Sequence, residues 1–342
     1  MAAIADFRKI DVSIVITTYN DGEYLEMLLR DLSEQRLDGL SIEIIIVDAG
    51  RFGALRARHL LSELAERLRF LERPGLSRTA ALNEMFALAN GELIVRLDAR
   101  SHIEADYISR IWTLSTETGA ENVGGVMLPV GRAPGQVIIA KLMREPLCLG
   151  GAKARSPTYK GVADSVYLGA YRRKICKPGV EWFDASLPQI SEDSDLNFRL
   201  RKAGGKIFVD ARIVVWHYPR ETVRKFWQLC FNYGVGRGLF ILKHRTVTGL
   251  RQLAPPLALA VLAGLFLAGF ENPQLWGVAV GLWCVYLLAI AYVAVRVGES
   301  AGEVLKACAG IMGCHCMWAM GLIWAPIVYR RARDLPRDSR TS

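Results

Sequence analysis

Gly91-Glu-Leu-Ile-Val-Arg-Leu-Asp-Ala-Arg-Ser-His102 is the stretch that decides how this chain reads. The run from Leu93 to Leu97 leads straight into Asp98. A short apolar run of this kind is a buried strand. A carboxylate at the end of such a strand stands where open α/β sheets bind their ligands. Two residues further on, where a second acid would complete a pair, the chain carries Arg100.

The segments before it repeat one alternation. Val12-Ser-Ile-Val-Ile-Thr-Thr18 is short, β-branched and apolar, and predicts a buried strand broken by Asn20-Asp21-Gly22. Leucines at 25, 28, 29 and 32, with acids early, predict an amphipathic helix over 23–37. Ile42 to Val47 predicts a second buried strand, ending in Asp48-Ala49-Gly50. A helix over 55–68, a short strand at Phe70–Glu72 and a helix over 77–89 follow, the last stopped by Asn90-Gly91. Strands alternating with helices imply an α/β fold with a mostly parallel sheet flanked by helices. Beyond Ala105 the signal is mixed: residues 147–162 read as a mobile loop, 195–203 as a helix and 206–209 as a strand.

Composition sets the outer limits. The 342 residues carry a net charge of +9 and are 51% hydrophobic, the apolar residues gathering toward the C-terminus. Residues 1–12 hold Asp6, Arg8, Lys9 and Asp11 and lack the apolar stretch of a signal peptide, so the first domain is expected to stay in the cytoplasm. The seven cysteines show no disulfide spacing, and Cys314-His-Cys316 lies in an apolar run, where packing is the expected role. The basic excess comes without nucleic-acid motifs and fits an anionic membrane surface. Three uncharged runs, 252–270, 272–295 and 307–329, each approach the roughly 20 residues that cross a bilayer. Three full crossings would leave the arginines at 330, 331, 333, 337 and 340 outside, against the positive-inside tendency. Gly310, Gly313 and His315 offer a re-entrant alternative for the third run. The expected organisation is a catalytic domain over 1–220, an amphipathic connector over 221–251, a membrane region of two or three spans over 252–329 and a basic tail over 330–342.

Four acids then fall where a transfer site needs them: Asp48 and Asp98 at strand ends, and Glu192-Asp193 before a helix. Val15-Ile-Thr-Thr-Tyr-Asn20, Ile46-Val-Asp48, Leu82-Asn83, Leu97-Asp98-Ala99 and Ser191-Glu-Asp-Ser-Asp-Leu-Asn-Phe-Arg-Leu-Arg-Lys-Ala-Gly204 together resemble a family 2 glycosyltransferase of the GT-A fold. Leu168-Gly-Ala-Tyr-Arg-Arg173, Tyr218-Pro-Arg220, Gln228 and Tyr233-Gly234 are similar to the membrane-attached transferases of bacterial exopolysaccharide assembly, the succinoglycan kind. The likeness covers roughly residues 12–240.

The resemblance implies roles. Asp193, with Glu192, is the expected catalytic base. Thr17, Tyr19, Asp48, Arg78, Asn83, Asp98 and Arg100 are expected around a nucleotide sugar, probed first as UDP-linked. Arg172, Arg173, Gln228 and Arg237 are expected at the acceptor or the diphosphate. Mg²⁺ or Mn²⁺ is the expected cofactor, held by Asp98 and His217, since Arg100 has no lone pair to give. Asn83 also reads as a residue that fixes helix geometry, and His217 as one packed among aromatics. The reaction implied is an inverting transfer of a hexose to a polyprenyl-diphosphate-linked saccharide at the cytoplasmic face of a bacterial inner membrane. One carboxylate base serves such a displacement, and a cation or arginines take up the charge of the leaving diphosphate. Transfer to polyprenyl phosphate itself, and a catalytically silent scaffold of a glycan assembly complex, are the alternatives. A nucleic-acid partner is not expected, and a homo-oligomer is left open.

Overall fold

Strand β1 (Val12–Thr18) lies between β2 (Ile42–Asp48) and β4 (Leu93–Asp98), parallel to both, and β3 (Leu68–Glu72) extends the parallel half beyond β2. The computed structural model describes residues 9–50, 64–151, 155–175, 182–185, 191–247, 249 and 252–334. Within these, residues 9–128 and 155–217 form one compact unit, and residues 129–151 and 218–334 another.

The first unit is built on a single mixed sheet. The remaining strands are β5 (Ser101–Ile103), β6 (Asn122–Pro129), β7 (Lys160–Val162), β8 (Ala170–Arg172) and β9 (Ile207–His217). The order is β3-β2-β1-β4-β8-β6-β9-β5, with β7 beside β9. It is parallel up to β4 and turns antiparallel at β8. Around it stand α1 (Gly22–Ser33), α2 (Arg78–Leu88), α3 (Tyr107–Thr118) and α5 (Glu192–Lys202), while α4 (Pro134–Arg144) belongs to the second unit.

Strand alternation explains why both faces are covered. On one face Ile14, Ile16, Ile44, Ile46, Val95 and Leu97 pack with the α1 leucines 25, 28 and 29 and with Ile108 and Ile111 of α3. On the other, Val15, Ile45, Val47 and Ile94 pack with Leu82, Met85 and Phe86 of α2 and with Tyr171, Trp182 and Phe183. Each such side chain contributes about 1.5–3 kcal/mol by burial. A polar knot ties the starts of the strands: buried Glu43 accepts from Ser13 Oγ at 2.7 Å and from the Asn90 N–H at 2.6 Å, and the Gly91 N–H donates to Ser13 Oγ. A Cβ on Gly91 would sit 2.5 Å from the Ser13 nitrogen, so the Asn90-Gly91 stop is also a close backbone approach.

Some boundaries differ from the sequence expectation. Of the helix expected over 55–68, residues 55–63 lie outside the described residues. Ala65–Arg67 forms a 3-10 turn, and Leu68 already opens β3. The strand expected at 206–209 runs on to His217. The segment read as a loop ends in β7, paired with Val209 and its neighbours.

The second unit is helical: α4 (Pro134–Arg144), a single turn at Pro146–Leu149, α6 (Val223–His244), α7 (Ala254–Ala268), α8 (Gln274–Val297) and α9 (Ala301–Asp334). Helices α8 and α9 are long and apolar enough to cross a membrane, with mean hydropathies of 2.4 and 1.6. Their surfaces are mostly uncovered, with Val280, Val285, Leu288, Val295, Leu305 and Ile323 exposed. Gly310, Gly313 and His315 lie inside the continuous α9.

α6 runs alongside α9 in the same direction. Trp227 Nε1 donates to the Ala309 carbonyl, Gly234 abuts Trp318, and Gly238 abuts Ala325. A Cβ at Gly234 would meet the Trp318 carbonyl at 2.2 Å, so the small residues set the helix separation, as in membrane helix pairs. Lys141 of α4 donates to the Val297 carbonyl at 3.0 Å, capping the negative end of α8.

Candidate active site

The carboxyl ends of β1, β2 and β4 place Thr17 opposite both Val47 and Asp98, and Thr18 opposite Asp48. Three of the expected positions therefore share one edge of the sheet. Tyr19, just past β1, is 61% exposed there. Asp48 is buried, and its Oδ1 accepts from the Gly50 N–H at 2.9 Å.

Behind this edge lies a lattice of buried charges. Arg78, the first residue of α2, donates through Nη2 to both oxygens of Asp98, at 2.8 and 2.7 Å. Arg96, two residues before Asp98 on the central strand, donates to Glu192 at 2.8 Å and stands 3.7 Å from Asp98. Arg78 Nε lies 3.5 Å from Glu192. Two guanidiniums thus alternate with two carboxylates. Arg96 also faces the Phe183 ring. Sequence reasoning missed Arg96; its signal was a lone charge within the otherwise apolar Leu93–Leu97 run.

The lattice divides the neighbouring acids into different states. Burial works against the charge on Asp98, and Arg78, then Arg96, outweigh it, so the carboxyl lies below the usual range. For Glu192, burial is likewise outweighed by Arg78 and Arg96. Asp193 goes the other way: burial and then the Glu192 charge raise its carboxyl, against a weaker pull from Arg96. Its Oδ1 accepts from the Ser194 N–H at 2.7 Å. Adjacent acids with opposite shifts are a pairing found at acid–base sites.

The other expected residues have the following surroundings. Asn83 spends its side-chain amide on the Phe183 backbone, donating at 2.8 Å and accepting at 2.9 Å, so it anchors the 182–185 segment to α2. The Arg100 guanidinium lies 4.0 Å over the Tyr24 ring, with Nε 3.6 Å from Asp21, packed against the start of α1. Arg172 pairs with Leu93 at the beginning of β4, about 16 Å along the strand from Asp98. Its side chain donates to the Ser115 carbonyl, and Arg173 donates to the Asn90 carbonyl at 2.9 Å. Both arginines line a cleft with Lys9, Glu92 and Lys174 on the opposite edge, which removes them from the Asp98 site. Gln228 and Arg237 belong to α6 of the second unit.

The fit to a divalent cation is poor. His217 ends β9 opposite Ser101, near enough to Asp98 for its charge to favour the ionised carboxyl. Its Nδ1 is 3.0 Å from the Tyr167 hydroxyl. Both Asp98 oxygens, however, are taken by Arg78, and the described residues contain no group of three His, Cys, Asp or Glu side chains able to hold a metal. Of the pair expected from sequence, His217 is brought close and Asp98 is already committed.

The mixed α/β sheet with flanking helices is like that of the GT-A glycosyltransferases, as comparison with known proteins shows. The model of glycosyl transferase family 2 matches residues 13–179. The succinoglycan biosynthesis protein ExoA of Rhizobium meliloti is 32% identical over 94% of this chain and 96% of its own. This chain belongs to glycosyl transferase family 2, and it is a glycosyltransferase. A dolichyl N-acetyl-alpha-D-glucosaminyl phosphate 3-beta-D-2,3-diacetamido-2,3-dideoxy-beta-D-glucuronosyltransferase of Methanococcus voltae is 25% identical over 68% of this chain and 74% of its own. Among solved structures, the mannosyltransferase PcManGT of Pyrobaculum calidifontis, in complex with GDP-Man and Mn²⁺, covers 96% of this chain and 88% of its own at 16% identity and a TM-score of 0.50. That likeness is one of fold.

Proposed function

We propose that the chain is an inverting hexosyltransferase that moves a hexose from a nucleotide sugar, UDP-linked in the first instance, to a polyprenyl-diphosphate-linked saccharide in bacterial surface-glycan assembly. The observation that carries this reading is Asp193, raised beside the fully committed Glu192. An acid lifted toward working pH is the stronger base once ionised. In the step itself the acceptor hydroxyl oxygen bonds to the anomeric carbon and gives its proton to Asp193. The bond from that carbon to the diphosphate oxygen breaks, and its electron pair leaves with the nucleoside diphosphate. A double displacement would need a further carboxylate as nucleophile, whereas Asp98 and Glu192 are both ion-paired. Thr17, Tyr19 and Asp48 then line the nucleoside side of the edge.

Two relatives bear on the acceptor, one named for succinoglycan biosynthesis and one for transfer to a dolichyl-linked sugar phosphate. The second name supports a saccharide-bearing lipid acceptor over bare polyprenyl phosphate. The membrane reading rests on the exposed apolar surface of α8 and α9, too extensive to face water. We propose that α7 and α8 enter the bilayer as a hairpin, and that α9, although long and apolar enough to cross, lies at the interface beside α6. α9 is paired along its length with α6, which carries Gln228, Asn232, Arg237 and Lys243. This returns Arg330 and Arg331 to the side of Lys243 and Arg245, in keeping with the positive-inside tendency. That side is the cytoplasmic face of the inner membrane.

The test is a panel of nucleotide sugars offered to the full-length protein with lipid-linked acceptors, the lipid product weighed by mass spectrometry. A product with two phosphates and one added hexose is expected. A one-phosphate product turns the assignment to polyprenyl phosphate. Absence of turnover with any donor favours the silent scaffold.

A further inference from the structure

We infer that this enzyme binds the diphosphate of its donor through the Arg78 guanidinium, seated on Asp98, without a divalent cation. The inference rests on the glycosyltransferase reading and names the cation of its donor site. A divalent ion at a strand-end acid serves to neutralise the donor diphosphate and its leaving charge. Here both oxygens of the Asp98 carboxylate accept from Arg78 Nη2, with Arg96 behind at 3.7 Å, so its charge is already matched by two guanidiniums. The position two residues on, where a second oxygen ligand would stand, is an arginine turned onto Tyr24 and Asp21. His102, the next side chain able to bind metal, is 2.8 Å from Asp31 and stacks on Trp216.

Arg78 has the features of a replacement cation. It opens α2, where backbone N–H groups and the helix dipole favour an anion, with Ser77 capping the turn. Its side chain is 36% exposed while Arg96 behind it is 5% exposed, so the outer guanidinium is the one a ligand meets. Nη2 is held by Asp98 and Nε faces Glu192, which fixes the plane of the fork. The hydrogen bonds of Arg78 to Asp98 run through Nη2 alone, which leaves Nη1 as a further donor on the same guanidinium. A guanidinium so oriented matches a diphosphate in geometry and charge. Asp98 then serves as the seat of the arginine and is a positioning residue.

The experiment measures UDP and GDP binding by calorimetry on the full-length protein in detergent, first in excess EDTA and then in Mn²⁺. The nucleotide that binds is expected to do so in EDTA, with a Kd that Mn²⁺ changes by less than about threefold. Arg78→Gln is expected to weaken it about 10- to 100-fold, the loss of a charge-assisted contact, and Arg78→Lys to recover part. Thermal unfolding of both variants separates a lost contact from a lost fold. Binding that disappears in EDTA and returns with Mn²⁺ overturns the inference, as does unchanged affinity in Arg78→Gln or binding of neither nucleotide in either condition. Failure of the transferase reading looks different: the nucleotide binds in EDTA, yet no sugar is transferred from any donor with or without metal.

Discussion

Arg96 occupies a position in a central strand where an apolar side chain would ordinarily sit, and it is 4% exposed. A buried charge persists only with a partner, and removing one member of such a pair costs about 3–5 kcal/mol. Its partner Glu192 precedes the proposed base, so Arg96 ties strand β4 to the start of α5. Its charge lowers the carboxyls of both Glu192 and Asp193. Replacing it by Gln raises both, and the base must be ionised to act. The acidic limb of kcat/KM is therefore expected to move to higher pH in Arg96→Gln, a shift belonging to the coupled pair. A limb that stays in place would separate Arg96 from catalysis. The stability of Asp193 variants carries the opposite sign. An acid whose folded pKa is raised above its unfolded value costs stability that sets in as pH rises past the unfolded value and is complete above the folded one. Asp193→Asn is thus expected to melt no lower than the parent at neutral pH, measured by thermal unfolding.

At this scale the sequence was partly legible. Asp48, Asp98, Glu192 and Asp193 are visible because strand ends and helix starts can be read from local pattern. The partners of Asn83, Arg100 and Arg172 depend on which strands become neighbours, 100 residues apart in the case of Asn83 and Phe183. No local signal carries that information.

The elements divide in the same way. β1, β2 and β4 are legible because both faces are buried and the residues are continuously apolar. β9 is readable only at its start, since Asp210 and Arg212 interrupt the run. Their pairing at 2.6 Å, joined by Lys160, is what lets the strand continue. β6 is obscured by Gly124-Gly125, a pair that reads as a turn. Here the glycines admit neighbours: a Cβ on Gly125 would lie 1.9 Å from the Ile213 carbonyl, across to β9. Gly125→Ala is expected to destabilise the first unit by about 1–3 kcal/mol, as overpacking does. Chemical denaturation followed by tryptophan fluorescence measures it, and an unchanged midpoint would mean that β6 and β9 do not approach so closely.

In the whole molecule a family 2 glycosyltransferase unit is joined in sequence to a helical unit with two helices long and apolar enough to cross a membrane. The chain is expected to stay in the membrane fraction through high-salt and alkaline washing, because apolar burial is not screened by salt. A reporter fused after Ser342 is expected on the same side as one inserted beside Arg245. Reporters on opposite sides would restore an odd number of crossings. The central claim, sugar transfer with Asp193 as the base, is tested most directly in one comparison: Asp193→Asn against the parent, at matched thermal stability, with nucleotide sugar and lipid-linked acceptor. Transfer is expected to fall about 10²–10⁴-fold with nucleotide affinity retained. Transfer at the parental rate would contradict it.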